Sequence, residues 1–163
     1  MPPPRFIVIY DGVCRLCDGV VKFILTRDTN GQHFRFCALQ STAAISLLSR
    51  HSITKEDALK SFILLDLEAD EGQQVLRRSN AALAIASALP QPWKILGSMG
   101  YCIPLFIRDG LYNFIAENRY ILFGKKNEED NDNECLMPTK KVLARFLDAD
   151  EIRESLQKQK KTI

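Results

Sequence analysis

A chain of 163 residues with 46% hydrophobic and 26% charged side chains has ordinary globular proportions, and folding at this size removes roughly 70% of the unfolded surface from water, enough for one core without metal or disulfide staples. A net charge of +2 provides no field for nucleic acid or an anionic membrane, so neither is an expected partner. The five cysteines (Cys14, Cys17, Cys37, Cys102 and Cys135) are too few and too uneven for a secreted disulfide framework, and no run of 18 apolar residues predicts a membrane span.

Met1-Pro2-Pro3-Pro4-Arg5 lacks the apolar stretch of a signal peptide and the Ser/Arg-rich pattern of a transit peptide, so the expected compartment is the cytoplasm. Phe6 to Tyr10 is a continuous apolar, β-branched run and predicts a strand buried on both faces. Asp11-Gly12-Val13 follows as a tight loop. Cys17, Val20, Val21, Ile24 and Leu25 then fall at helical spacing, and Asn30-Gly31 ends the unit. His33 to Ala38 alternates, with Phe34, Phe36 and Ala38 on one face and His33, Arg35 and Cys37 on the other. Ser41 predicts an N-cap for a helix carrying Ala44, Leu47 and Leu48.

Ser61 to Asp66 predicts a third strand, Glu68 to Gly72 a turn, and Gln74 to Arg77 a fourth strand antiparallel to the third. Ser79 is placed to cap a helix with Ala82, Ile85, Ala86 and Leu89 on one side. This β-α-β-α-β-β-α order is that of an α/β, thioredoxin-like domain with a mixed four-stranded sheet. Trp93, Leu96 and Met99 suggest a short additional helix. Pro104 opens another, with Ile107, Leu111, Phe114, Ile115 and Asn118 facing one way. Lys125 to Glu134 is a polar, acid-rich loop, and Thr139 is placed to cap a last helix burying Val142, Leu143, Phe146 and Leu147. The expected organisation is one domain over residues 5–148 with a C-terminal helical extension, then a helical or frayed basic tail over 149–163.

Cys14-Arg15-Leu16-Cys17 falls where a strand hands over to a helix. Unpaired N–H groups and the positive end of the helix dipole favour a thiolate there. Cys14 is expected at the helix mouth as the exposed nucleophile, with Cys17 one turn deeper as the buried resolving thiol. Arg15 and Asp18 place opposite charges nearby. Asp11 is a candidate proton shuttle or a carboxylate capping the loop. A zinc site is the competing use of the pair, but it needs two more ligands, and His33, His51 and Cys135 are isolated in the chain. No metal is expected. Cys37 and Cys102 are expected to be buried and inert, and Cys135 to be either a third redox thiol or a helix-entry residue.

Asp11-Gly12-Val13-Cys14-Arg15-Leu16-Cys17-Asp18-Gly19 resembles the signature of the DCC family of thiol–disulfide oxidoreductases, named for an Asp-x-x-Cys-x-x-Cys motif. Phe34 to Ser41, Arg78 to Leu83, Asn118-Arg119-Tyr120 with Phe123-Gly124, and Cys135 to Pro138 resemble further landmarks of that family. The resemblance implies a thioredoxin-like fold, protein-disulfide reductase or related thiol–disulfide exchange, and Asp11, Cys14 and Cys17 as the site. The redox group is then the Cys14–Cys17 disulfide itself, without a resident cofactor. The partner is a disulfide-containing protein or a low-molecular-weight thiol. Two departures stand out: Leu59-Lys60-Ser61 lacks the proline that thioredoxins carry before the third strand, and Asn80 replaces the family's usual Asp. Ser79 and Asn80, at the predicted helix start, also resemble the glutathione-holding pair of glutathione transferases and glutaredoxins, which makes glutathione a candidate co-substrate. The alternatives are a non-enzymatic binding module, with the cysteine pair inert or holding zinc, and a glutathione-dependent transferase.

Overall fold

In the computed structural model, residues 3–70, 74–124 and 140–154 are described. The apolar run Phe6–Tyr10 forms β1, one of the two inner strands of a mixed four-stranded sheet. It pairs parallel with β2 (Phe34–Ala38) and antiparallel with β3 (Ile63–Asp66), and β3 pairs antiparallel with β4 (Val75–Arg77). Side chains alternate across a strand, so β1 serves two cores. Phe6 and Val8 pack with Phe34, Phe36 and Leu64 under α1 (Arg15–Arg27). On the other face, Ile7 and Ile9 pack with Cys37, Ile63 and Leu65 under α2 (Thr42–Arg50) and α3 (Lys55–Lys60). Each such side chain is worth roughly 1.5–3 kcal/mol when fully withdrawn from water. The element order and mixed sheet are compatible with a thioredoxin-like fold, as the sequence pattern predicts.

Ser41 caps α2 as expected, accepting from the Ala44 N–H at 3.2 Å. The short α3 is unanticipated; Thr54 starts it by accepting from the Asp57 N–H. The helix α4 (Arg78–Ala88) follows β4 with no loop, and Arg78 takes a left-handed φ of +50° to make the hand-over. The expected Ser79 cap is corrected: the cap position is Arg77, and the buried Ser79 hydroxyl donates instead to the Asp109 carboxylate. The next helix, α5 (Trp93–Gly100), lies tightly on α4. A Cβ at Gly97 would sit 2.6 Å from the Ser87 nitrogen, which only glycine avoids.

The longest helix is α6 (Leu105–Leu122). Most of its apolar stripe is not core: Ile107, Leu111 and Phe114 face outward. Its inward positions are Tyr112, Ile115, Ala116 and Arg119, one face at helical spacing. No described helix is long and apolar enough to cross a membrane.

The last predicted helix is also corrected. The helix α7 covers only Lys140–Leu143, after which the chain turns and runs beside β2. Phe36 donates its N–H to the Arg145 carbonyl and accepts from the Leu147 N–H, each at 2.9 Å. An open sheet edge presents unpaired backbone groups, and this segment satisfies some of them. Phe146 therefore packs on Phe36, while Leu147 stays exposed. Residues 149–154 are helical. The acid-rich loop, Cys135, the Thr139 cap and the end of the tail lie outside the described residues.

Candidate active site

The buried end of β1 delivers Asp11, and a tight turn carries the chain into α1. The Cys14 N–H donates to the Asp11 carbonyl at 3.2 Å, and the Cys14 carbonyl accepts the first helical bond from Asp18 at 3.0 Å. Cys14 is thus the N-cap residue, in extended conformation, and its side chain makes no capping bond. The expectation of an exposed Cys14 is corrected: Cys14 is 0% exposed and Cys17 is 3% exposed. The residues on either side, Val13 and Arg15, take the solvent positions, and Cys14 turns inward between them. Asp18 spends its charge on Lys22, 3.2 Å away and one turn along α1.

The Cys17 thiol lies beside Cys14 and the Asp11 backbone. Burial first, and then the neighbouring Cys14, push it up to about 12. The two sulfurs are not joined in this structure.

Asp11 is buried, and its carboxylate is surrounded by donors. Oδ1 accepts from Gln40 Nε2 at 2.8 Å and from the Val13 N–H at 3.2 Å. Oδ2 accepts from the Tyr120 hydroxyl at 2.5 Å, with Arg119 Nη2 at 3.6 Å. Burial opposes the charge, but the bonds from Tyr120, Gln40 and Val13, with Arg119 alongside, outweigh it and hold the carboxyl below its ordinary range. Gln40 also accepts from the Gly12 N–H at 3.1 Å, tying the loop to the β2–α2 corner.

Arg119 links this network to the segment before β3. Its Nη2 donates to the Leu59 carbonyl at 2.6 Å and to the Tyr120 hydroxyl at 2.8 Å. Burial works against its charge, yet the bond to Tyr120 and the nearby Cys17 and Cys14 sulfurs raise its pKa, so it stays a cation. About two turns earlier, the Tyr112 hydroxyl accepts from the Phe62 N–H at 3.1 Å. The stretch where thioredoxins carry their proline is therefore bound at both ends by α6. A cavity of about 230 Å³ opens between α1, α4 and α6, with Leu16, Cys17 and Val20 on one wall and Tyr112, Ala116 and Arg119 on another.

The remaining candidates are dispersed. Ser79 is engaged by Asp109, so the start of α4 already holds a carboxylate from α6; Asn80 borders a separate hollow with Arg77 and Arg78. Cys37 is buried against Ser41, and burial pushes its thiol up to about 11. Cys102 is corrected from buried to exposed, because it sits in the turn between α5 and α6, on the outward apolar surface. Among the described residues no three His, Cys, Asp or Glu side chains gather to hold a metal. Gln40, Tyr112, Arg119 and Tyr120 carry no role in the sequence reading. The signal for the last two was the Asn118-Arg119-Tyr120 landmark, but the landmark alone does not say which way its side chains turn on the helix.

The family model for DCC1-like thiol-disulfide oxidoreductases matches residues 8–125, a span that holds every member of this network. Among curated proteins, the uncharacterized protein YuxK of Bacillus subtilis (strain 168) is 38% identical over 144 residues, covering 88% of this chain and 95% of the relative. A chloroplastic DCC family protein of Arabidopsis thaliana is 38% identical over 123 residues, covering 76% of this chain and 67% of the relative. No solved structure matches the chain.

Proposed function

The chain belongs to the DCC1-like thiol-disulfide oxidoreductase family, and from that membership we propose that it catalyses thiol–disulfide exchange with Cys14 and Cys17 as the working pair. Family membership supports the general activity; the arrangement of the two sulfurs supports the division of labour. The observation that carries it is the environment of Cys17. Its proton is held by burial and by the neighbouring Cys14, so attack falls to Cys14 at the start of α1. Cys14 attacks a substrate disulfide and forms a mixed disulfide. Cys17 then gives up its proton and displaces the substrate thiol, closing the Cys14–Cys17 bond.

Arg119 supplies a fixed positive charge beside both sulfurs while negative charge passes between them. Asp11 is a positioning residue in this reading. A carboxylate held ionised by four partners orients Arg119, Tyr120 and the loop, and is poorly suited to shuttle a proton near neutral pH. The test is a redox titration of the purified protein read by mass spectrometry, with single-cysteine variants. Cys14→Ser should abolish turnover of a model disulfide, and Cys17→Ser should accumulate a mixed disulfide on Cys14. A pair that never forms the Cys14–Cys17 disulfide across the titration overturns the proposal.

A further inference from the structure

Neither sulfur of the pair lies on the outer surface. A cavity of about 230 Å³ has Cys17 in its wall, with Cys14 behind it. Leu16, Val20, Ile85 and Ala116 make most of the rest of that wall hydrocarbon. The Tyr112 hydroxyl in it is already taken by Phe62. The exception is Arg119, which is more than nine-tenths buried and whose Nε has no hydrogen-bond partner. A second apolar hollow shares Leu16, Val20 and Ile85 and continues toward Phe23 and Phe123.

Resting on the redox reading above, we propose that this cavity admits low-molecular-weight disulfides carrying an apolar chain, and that these are the substrate class. The volume sets the first limit: about 230 Å³ is space for a small molecule rather than for a segment of a folded protein. Polarity sets the second. A peptide, or oxidised glutathione with its charges, would bring polar groups against a wall that is mostly hydrocarbon, and each unpaired group costs free energy. An alkyl chain brings none. Its sulfur arrives beside Cys17, next to which Cys14 lies. Cys14 attacks that sulfur from behind the cavity wall, and the departing alkanethiolate leaves through the cavity. Cys17 then displaces the second alkanethiol. In total the two protein thiols and one dialkyl disulfide become one protein disulfide and two alkanethiols, and the two protons of the pair end on the released thiols.

The test uses the full-length reduced protein in single turnover with diethyl, dipropyl and dibutyl disulfide, bis(2-hydroxyethyl) disulfide, oxidised glutathione and insulin. Formation of the Cys14–Cys17 disulfide is followed by mass spectrometry. The rate constant should rise roughly fourfold for each methylene buried, with the hydroxyethyl, glutathione and insulin disulfides slowest. Filling the cavity by Ala116→Leu on α6, or by Ala82→Leu on α4, should flatten that series; circular dichroism checks that each variant is folded, and either one suffices. Equal rates along the alkyl series, a faster reaction with insulin or oxidised glutathione, or a series unchanged in both filled variants overturns the proposal. If no disulfide oxidises the pair, the redox reading itself falls, and the two failures are thereby distinguished.

Discussion

The shortest of the bonds that hold Asp11 is the 2.5 Å bond from Tyr120. Tyr120→Phe removes it while keeping the ring, and should cost about 1–2 kcal/mol near neutral pH, measured by urea unfolding. The pH dependence follows from the direction of the Asp11 shift. Its folded pKa lies below the unfolded value of about 3.9. The stabilisation is therefore complete above about pH 4 and is lost as pH falls through the folded pKa. In Tyr120→Phe the folded pKa moves back toward the unfolded one, so wild type and variant should converge in stability as the solution becomes acid. The thiols give a second residue-level expectation. With Cys17 pushed up to about 12 and Cys37 to about 11, both buried, iodoacetamide at pH 8 should label the exposed Cys102 well before either. Peptide mass mapping over time checks the order. Cys37 or Cys17 labelled as fast as Cys102 would contradict this picture of the site.

Among the elements, α6 is the one whose pattern misleads. An amphipathic helix ordinarily turns its apolar stripe to the core. Here the inward face carries Tyr112 and Arg119 because the segment before β3 offers a free carbonyl at Leu59 and a free N–H at Phe62. Buried backbone groups demand partners, and these two side chains supply them. The strand β2 has a comparable dependence on a distant element. Arg145, just after α7, donates to Asp28 Oδ2 at 2.7 Å and to the Asp28 carbonyl at 2.8 Å, with both side chains buried. The same Asp28 side chain accepts N–H groups at the entrance to β2. Arg145→Met leaves a buried carboxylate without its cation and should destabilise by about 3–5 kcal/mol in denaturant unfolding. A loss below about 1 kcal/mol would mean that the C-terminal segment does not hold this edge.

For the molecule as a whole, the apolar surface divides into a sheet-centred core and an outward band on α5 and α6. Met99, Phe106, Leu111, Phe114 and Ile121 are each at least 63% exposed. Phe106→Ser and Phe114→Ser should therefore shift stability by less than about 0.5 kcal/mol, in contrast to the several kcal/mol expected for truncating a core aromatic such as Phe36. Thermal unfolding of the three variants side by side checks the division.

The strands, the first helices and the place of Cys14 and Cys17 at a strand-to-helix hand-over were legible in the sequence. They follow from local rules: a doubly buried strand is a continuous apolar run, and a helix start shows its cap and its 3.6-residue period. The burial of Cys14, the partners of Asp11 and the environment of the pair were decided by tertiary structure. Asp11 meets Gln40 from 29 positions away and Tyr120 from 109. Leu59 meets Arg119 from 60 away. No local pattern encodes such pairings. They form because burying a charge or a backbone group is costly until a distant side chain completes its hydrogen bonds. The same demand places Arg119 beside the sulfurs and puts Cys14, expected at the surface, inside.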